Sequence, residues 1–232
     1  MIGITIDDQD RGRWALLGPR DEPRVLIVLA GAGFDHARLR QESARCDALV
    51  AADAGAALCV AAGLMPDSIV GDFDSLPAET RAKLDPTRFF PSDDVETNDL
   101  EKALAHVTAR WGAEAEVVLA AGGGVHGGRM DHALANLGPL VREPHGRISM
   151  VDGEGRLFAV RRGRATLEDL VGRKLSLLPW TLHGVTASES GLRYPLRRER
   201  LKLGGRGVSN EIVDELATVE VEDGVALIWV EA

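Results

Sequence analysis

Cysteine is scarce in this chain of 232 residues, which contains only Cys46 and Cys59. The two cysteines do not form a CxxC pair and have no regularly spaced cysteine or histidine partners. Neither a structural zinc site nor a disulfide framework is therefore indicated. We interpret both cysteines as small buried hydrophobic residues.

The sequence also lacks any apolar run of the length that crosses a membrane. Its first segment carries Asp7, Asp8, Asp10 and Arg11 and does not have the continuous apolar stretch of a secretory signal. We therefore predict a cytoplasmic protein with no membrane partner.

Positive charge is in deficit, because the chain has a formal net charge of -9 and a pI near 5.2. Non-specific binding to nucleic acid depends on a broad basic surface, so we exclude nucleic acid as the main partner. A small anionic ligand would need a metal ion, or a local group of Arg and Lys, to overcome the overall repulsion.

The common phosphate-binding loops are missing as well. There is no GxxxxGK[ST] sequence and no kinase set with a strand lysine and a DFG-type aspartate. The glycines at 122–124 and 127–128, followed by Arg129, could do equivalent work, because backbone amides and a guanidinium group bind phosphate well.

Up to about residue 146, short apolar runs alternate with helical patterns. Buried strands are predicted at 25–31, 48–55, 68–72 and 116–124. A helix is predicted after Asn98, which can cap its start, and before Gly112, which can end it. This alternation predicts an α/β fold with a mostly parallel sheet flanked by helices.

After residue 146 the helical signal almost disappears. The rest of the chain consists of short apolar runs broken by Gly, Pro and charge, which is typical of an antiparallel sandwich or barrel. We therefore predict an extension at 1–24, an α/β domain at 25–143 and an all-β sandwich domain at 147–232, joined at 142–146.

Asp72 and Asp74 flank Phe73 in "IVGDFDSL" at 69–76. In an extended segment residues two apart share a face, so these carboxylates would repel each other unless a cation lay between them. The pair is either a set of solvated loop acids or a metal site.

Further polar residues follow predicted strands, where parallel sheets bind ligands. Asp53 follows one strand and the glycine-rich segment with Arg129 and Asp131 follows another, while Asp99 and Lys102 share a face of the predicted helix. Helix caps, turns and a surface ion pair would explain each feature singly. Together they suit Mg²⁺ with a polyphosphate, since Mg²⁺ takes carboxylates and substrate phosphates as ligands.

Six motifs in this order resemble the thiamine pyrophosphokinase family. They are "DAG" with Asp53, "VGDFDSL", "ETNDLEKAL", "GGRMDHALANL", "GLRYPL" at 191–196 and "VSNE" at 208–211. The resemblance covers roughly residues 25–230.

The resemblance implies an enzyme that transfers the pyrophosphate group of ATP to the hydroxyl of thiamine with Mg²⁺, giving thiamine diphosphate and AMP. It also implies an α/β domain followed by a β-sandwich, in a homodimer with sites at the subunit interface. The implied metal-binding and catalytic residues are Asp72, Asp74 and Asp99. The implied ATP-binding residues are Asp53, Lys102, Arg129 and Asp131, and Ser209 and Asn210 would bind thiamine.

Two positions depart from the family pattern. Asn98 stands where threonine is common, which keeps a helix cap, and Ile212 stands where some members have an aromatic residue. Trp180 is an alternative aromatic partner for thiamine, although a single Trp in a β domain is more often part of the core.

Two other functions stay open from the sequence. The first is a Mg²⁺-dependent pyrophosphokinase that acts on another alcohol, since most motifs describe ATP and metal rather than the acceptor. The second is a nucleotide- or thiamine-sensing module without turnover. Three acids that repel one another argue against a module that only binds.

Overall fold

The computed structural model describes residues 2–8, 12–31, 33–122, 129–142, 147–153 and 155–231. The chain forms two compact units, and each is described by itself. The parallel-sheet unit comprises Glu22–Pro139 and Gly146–Gly153, and the sandwich unit comprises Met1–Asp21, Leu140–His145 and Glu154–Ala232. Among the described residues, no helix is long and apolar enough to cross a membrane.

The chain begins with an antiparallel pair of strands, β1 (Gly3–Asp8) and β2 (Gly12–Leu17). Next along the chain come the parallel strands and the helices between them: β3 (Arg24–Val28), α1 (His36–Ser43), β4 (Ala48–Ala52), α2 (Gly55–Ala61), β5 (Ser68–Gly71), α3 (Ala78–Arg81), a 3-10 turn (Pro86–Arg88), β6 (Phe89–Pro91), α4 (Asp99–Trp111), β7 (Glu116–Ala120), α5 (Met130–Arg142) and β8 (Ile148–Asp152). The strand order is β8-β7-β3-β4-β5-β6, and all five neighbouring pairs are parallel.

Helices cover both faces of this sheet. Alternate residues of a strand point to opposite faces, and Leu26 and Val28 of β3 pack in one cluster with Leu39 of α1 and Cys59 of α2. Helix α4 contacts β4 and β5 through a separate apolar stripe that includes Leu100. The predicted α/β architecture is confirmed. Cys46 is half-buried and Cys59 is buried, and both are free thiols.

The sandwich unit contains the remaining strands, all joined by antiparallel pairing. They are β9 (Gly155–Glu168), β10 (Lys174–Pro179), β11 (Val185–Ser190), β12 (Glu199–Leu201), β13 (Asn210–Glu211) and β14 (Leu216–Glu231). The two long strands, β9 and β14, pair with each other along their whole length, and the register shifts between Val221 and Val225.

This irregularity divides the long pair into two halves with different neighbours. The half around Ala165 and Val219 is flanked by β1 and β11, whereas the half around Phe158 and Ile228 is flanked by β10. Side chains from both halves form one buried apolar cluster. Two antiparallel layers around a single core make a β-sandwich, as the sequence predicted.

Two segments lie where the sequence did not place them. The N-terminal segment, predicted as an extension, contributes β1, which pairs with β9 from Gly3 to Asp8. Strand β8, predicted as the start of the sandwich, pairs parallel with β7. An apolar run such as Ile148–Val151 suits a buried strand of either sheet, so its pattern does not distinguish the two. The predicted joint at 142–146 lies, except for Arg142, outside the described residues.

Candidate functional site

Asp53 directly follows β4 and is held in place by its backbone. It has a positive φ of 44° and its N–H donates to the carbonyl of Val70 at the end of the neighbouring strand β5. The residue is only 3% exposed. Its Oδ2 accepts a hydrogen bond from the Ser75 hydroxyl. Its Oδ1 is buried and has no hydrogen-bond partner among the residues that the structure describes.

Asp72 and Asp74 follow β5, the next strand of the sheet, and the turn between them differs from the prediction. Phe73 has a φ of 67°, so the segment is not extended, and the sequence-based reason for the shared face is wrong. The N–H of Asp74 instead donates to Oδ1 of Asp72 at 3.3 Å. A tight left-handed turn at Phe73 therefore brings the two carboxylates to one side.

Asp53, Asp72 and Asp74 form one carboxylate group. One oxygen of each lies within 4.8 Å of the others, so a single cation could contact all three. The unpaired and buried Oδ1 of Asp53 fits this role, because a buried carboxylate oxygen without a hydrogen bond is costly unless a cation binds it. An oxygen-only donor set of this kind suits a hard cation such as Mg²⁺. We refer to these residues as the aspartate cluster.

Helix α4 brings a lysine and a fourth acid to the cluster. Asn98 caps the helix by accepting from the N–H of Glu101, whose side chain accepts in return from the N–H of Asn98, and Gly112 ends the helix. Both predicted helix ends are confirmed. Nζ of Lys102 lies 3.3 Å from Oδ2 of Asp72 and 3.9 Å from Oδ1 of Asp99.

The environment shifts the pKa values of Asp72 and Asp99 in opposite directions. The hydrogen bond from the Asp74 N–H, followed by that from Lys102, lowers the pKa of Asp72 below its usual value. Burial, followed by the charge of Asp53, raises the pKa of Asp99. The negative charge of the cluster therefore disfavours the ionised form of Asp99, although the described ion pair of Asp99 is with Lys102.

Arg129 and Asp131 lie at the start of α5, where they contact each other. Nε of Arg129 donates to Oδ1 of Asp131 at 3.1 Å, and both side chains are exposed. This pairing lowers the pKa of Asp131 to about 2. Asn136 donates to the carbonyl of Gly122 at 3.1 Å, which ties α5 to the start of the glycine-rich segment. The glycines at 123, 124, 127 and 128 lie outside the described residues.

The two residues predicted to bind thiamine belong to the sandwich unit and differ in environment. Ser209 is exposed, has a φ of 61° and donates its N–H to Oγ of Ser176 at 3.0 Å. Asn210 is buried, and its side chain accepts from the N–H of Tyr194 and donates to the carbonyl of the same residue, each at 3.1 Å.

Asn210 uses its full hydrogen-bonding capacity inside the protein. Its Oδ1 also accepts from the N–H of Glu211 at 2.9 Å, and its amide group also donates to Glu189 at 3.5 Å. An amide side chain offers two donor and two acceptor positions, and all four are taken. Asn210 thus fixes the "GLRYPL" segment and presents Tyr194, which is 72% exposed.

The two positions considered from the sequence for contact with thiamine, Ile212 and Trp180, lie in different places. Ile212 is fully buried in the sandwich core. Trp180 is 36% exposed and its N–H donates to the carbonyl of Val225.

Sequence reasoning did not assign a role to Ser75 or Tyr194. Both lie inside motifs that carry the resemblance, "VGDFDSL" and "GLRYPL". Ser75 is recognisable only from its contact with a residue 22 positions earlier. Tyr194 is the one tyrosine of the chain, but its position depends on the hydrogen bonds that its backbone forms with Asn210.

Comparisons with known proteins match both units. The catalytic-domain model of thiamin pyrophosphokinase matches residues 39–151, and the vitamin B1 binding-domain model of the same enzyme matches residues 164–226. A thiamine pyrophosphokinase of Bacillus subtilis is 26% identical over 187 residues, which is 77% of this chain and 84% of the relative. Thiamine pyrophosphokinase 2 of Arabidopsis thaliana is 29% identical over 71% of this chain, which spans 64% of that relative.

Solved structures have the same fold. The crystal structure of the Bacillus subtilis thiamine pyrophosphokinase superposes with a TM-score of 0.73 at 22% identity, covering 90% of this chain and 98% of that one. The yeast thiamin pyrophosphokinase superposes with a TM-score of 0.77 at 15% identity, covering 92% of this chain and 87% of that one. With the two family models matched in order along the sequence, the chain belongs to the thiamine pyrophosphokinase family.

Proposed function

We propose that the chain transfers the pyrophosphate group of ATP to the hydroxyl of thiamine, giving thiamine diphosphate and AMP. The observation that carries this proposal is the aspartate cluster beside Lys102, at the carboxyl ends of two neighbouring parallel strands. Ligands of open parallel sheets bind at this edge. These carboxylates and this lysine are the groups that binding of ATP with a metal ion requires.

The aspartate cluster would hold Mg²⁺, which would neutralise charge on the phosphate oxygens as the hydroxyl attacks. The resemblance assigns Asp72, Asp74 and Asp99 to the metal and Asp53 to ATP. The geometry supports Asp53 as a further metal ligand, because its buried Oδ1 needs a cation. Asp99 lies 3.9 Å from Nζ of Lys102 and would complete the acid set around the bound nucleotide.

The cationic side chains would bind the phosphates. Lys102 is 6% exposed at its side chain, so its ammonium group is held in one place by the surrounding protein. Arg129 is exposed and could exchange its pairing with Asp131 for a phosphate group of ATP. Positioning and charge neutralisation account for most of the catalysis of phosphoryl transfer, and no strong base is required.

Thiamine would bind to the sandwich unit near Ser209. Asn210 would act there as a positioning residue, since its side chain is fully engaged with Tyr194, Glu189 and Glu211. Tyr194 is exposed and its backbone is fixed by Asn210, which favours it over Trp180 as the aromatic partner of thiamine. A tyrosine ring provides a large apolar contact at low entropic cost, because it has only two side-chain torsions.

We also propose that the protein is cytoplasmic and, as the resemblance implies, that it forms a homodimer whose sites are completed by the partner subunit. Mixing an Asp72→Asn protein with a Ser209→Ala/Asn210→Ala protein, each inactive alone, would test this. With sites formed between subunits, half of the sites in each heterodimer are intact and activity returns. If the subunits exchange and no activity returns, each site is built within one chain.

The experiment that tests the main proposal is to incubate the protein with ATP, Mg²⁺ and thiamine and to measure AMP and thiamine diphosphate together. Equal amounts of the two products are expected. AMP that forms only with another alcohol would favour a different pyrophosphokinase, and binding of thiamine or ATP without AMP would favour a sensing module. The variants Asp72→Asn, Asp74→Asn and Asp99→Asn should each lower turnover by at least about a hundredfold.

Mn²⁺ can replace Mg²⁺ in a binding experiment that electron paramagnetic resonance monitors in the absence of nucleotide. Such an experiment would show which of the four aspartates bind the metal. Asp53→Asn, Asp72→Asn and Asp74→Asn should each weaken binding by about tenfold or more, since each removes a charged ligand. Asp99→Asn should weaken it less. An Asp53→Asn protein that binds Mn²⁺ as the wild type does would remove Asp53 from the metal site.

A further inference from the structure

Phe73 separates the two neighbouring acids of the aspartate cluster and has an unusual backbone conformation. Its φ of 67° lies in the left-handed region, which residues with bulky side chains rarely adopt. The same turn directs the N–H of Asp74 to Oδ1 of Asp72. The spacing of the two carboxylates therefore depends on a conformation that the Phe73 backbone does not favour by itself.

The ring of Phe73 is held by two neighbours. Its centroid lies 5.1 Å from that of Phe89, with the planes at 80°, an edge-to-face arrangement. The guanidinium carbon of Arg81 lies 5.5 Å from the Phe73 ring centroid and 5.1 Å from that of Phe89, within the range of a cation–π interaction. We call these three side chains the Phe73 stack.

The stack is anchored on regular structure. Phe89 is the first residue of β6 and pairs with Ile69 of β5, the strand that ends at Gly71 directly before Asp72. Arg81 is the last residue of α3. The ring of Phe73 is thus held by β6 and α3, next to the end of β5, where the chain turns at Phe73.

We infer that Phe73 is a positioning residue, whose ring is held by Phe89 and Arg81 so that the left-handed turn keeps Asp72 and Asp74 at the spacing that a cation requires. This inference rests on the proposed metal site. Backbone strain at functional sites persists when the surrounding structure holds it in place, and the Phe73 stack is the part of the structure that does so.

Glycine at this position separates the effect of the ring from that of the backbone. Glycine adopts positive φ without steric cost, but it also populates negative φ equally well. If the turn alone mattered, Phe73→Gly would bind metal as well as the wild type or better. If the ring fixes the turn, Phe73→Gly would let Asp72 and Asp74 move apart in the free protein.

The test is the dissociation constant of Mn²⁺ in the absence of ATP and thiamine, measured by electron paramagnetic resonance. Phe73→Gly, Phe73→Leu and Phe89→Leu should each raise this constant about three- to tenfold, the range expected for the loss of one aromatic pair. The double variant Phe73→Leu/Phe89→Leu should bind Mn²⁺ no more weakly than the single variant with the higher dissociation constant, because both changes break the same contact.

Two further variants address the charge and the fold. Arg81→Gln should weaken Mn²⁺ binding despite removing a positive charge, whereas Lys83→Gln, which removes the same charge two residues later, should leave it unchanged or slightly stronger. Arg81 is exposed, so Arg81→Gln keeps the test usable if a Phe73 variant does not fold. The KM for thiamine should not change in any of the stack variants.

The possible outcomes are distinct. Unchanged Mn²⁺ affinity in Phe73→Gly and in Arg81→Gln overturns the positioning role of the stack while the metal site stands. A wild-type protein that binds no Mn²⁺ means that the metal site itself is wrong, and the inference then fails with it.

Discussion

Nζ of Lys102 lies 3.3 Å from Oδ2 of Asp72, although 30 residues separate the two in the sequence. Lys102 is nearly buried, with 6% of its side chain exposed, whereas the Asp72 side chain is 44% exposed. An ion pair with one exposed partner contributes little to the free energy of folding. We therefore expect the ammonium group of Lys102 to matter more for binding a ligand than for stability.

We therefore predict that Lys102→Met separates activity from stability. Turnover should fall about a hundredfold, since a cation that would stabilise the transferring phosphates is lost. The free energy of unfolding of the metal-free protein should change by less than about 1 kcal/mol, because methionine fills a similar volume. Lys83→Met, which alters an exposed lysine, provides the control. A large loss of stability without loss of turnover would contradict this role of Lys102.

Gly71 allows β5 to end against Asp53, and its replacement should disturb the aspartate cluster. Its φ is 152° and an added Cβ would lie 3.0 Å from the Cβ of Asp53. Gly71→Ala should lower the free energy of unfolding by about 1–3 kcal/mol through backbone strain and should also weaken Mn²⁺ binding by moving Asp53. Chemical denaturation and electron paramagnetic resonance would measure the two effects.

Gly63 offers a matched control for Gly71. It also has a positive φ, of 74°, but an added Cβ would have no atom within 4 Å. Gly63→Ala should therefore destabilise the protein through its backbone by about 1 kcal/mol and leave Mn²⁺ binding unchanged. Equal effects of both variants on Mn²⁺ binding would mean that strain, and not the contact with Asp53, is responsible.

Asn98 and Glu101 form a capping box at the start of α4, and this cap predicts how Asn98 variants behave. Asn98→Thr should alter the free energy of unfolding by only a few tenths of a kcal/mol, whereas Asn98→Ala should lower it by about 1 kcal/mol. Because the cap fixes the first turn of the helix with Asp99 and Lys102, Asn98→Ala should also raise the KM for ATP. Equal stability of the two variants in urea would argue against the cap.

The position of the aspartate cluster could be predicted from sequence for a simple reason. Asp53 and Asp72 each directly follow a buried apolar strand, and the carboxyl ends of neighbouring parallel strands meet at one edge. The helix of Asp99 and Lys102 was also predictable, because its cap, apolar period and terminal glycine all lie within one segment.

The remaining details depend on contacts between residues distant in sequence. The left-handed turn at Phe73 is held by Phe89 and Arg81, and no pattern around Phe73 indicates it. The hydrogen bonds of Asn210 reach Tyr194, 16 residues earlier, and Glu189, 21 residues earlier. The parallel pairing of β8 with β7 likewise arises from the sheet and not from the composition of the strand.

Glu189 provides a test by pH, because burial raises the pKa of its carboxyl group from 4.5 to about 7. Weak hydrogen bonds from the N–H of Leu196 at 3.4 Å and from Asn210 at 3.5 Å, together with the charge of Arg206, only partly oppose this effect. In the folded protein the group therefore keeps its proton at a pH at which the unfolded chain has lost it.

The sign of the pH effect follows from proton binding. Between about pH 4.5 and pH 7 the folded state holds more protons at Glu189 than the unfolded state does, so stability from this group falls as pH rises through that window. The total contribution is on the order of 3 kcal/mol. It is fully present below pH 4.5 and is lost above pH 7.

Glu189→Gln imitates the protonated group, since an amide is neutral and its oxygen still accepts from Leu196 and Asn210. We expect the variant to match the wild type in urea unfolding at pH 5 and to be more stable than the wild type at pH 8. Glu222→Gln serves as the control, because Glu222 lies in the same unit and its described partner is Arg198, so its removal should not produce a gain at pH 8. If Glu189→Gln is less stable than the wild type at both pH values, the carboxylate is stabilised in its charged form, and burial does not control its titration.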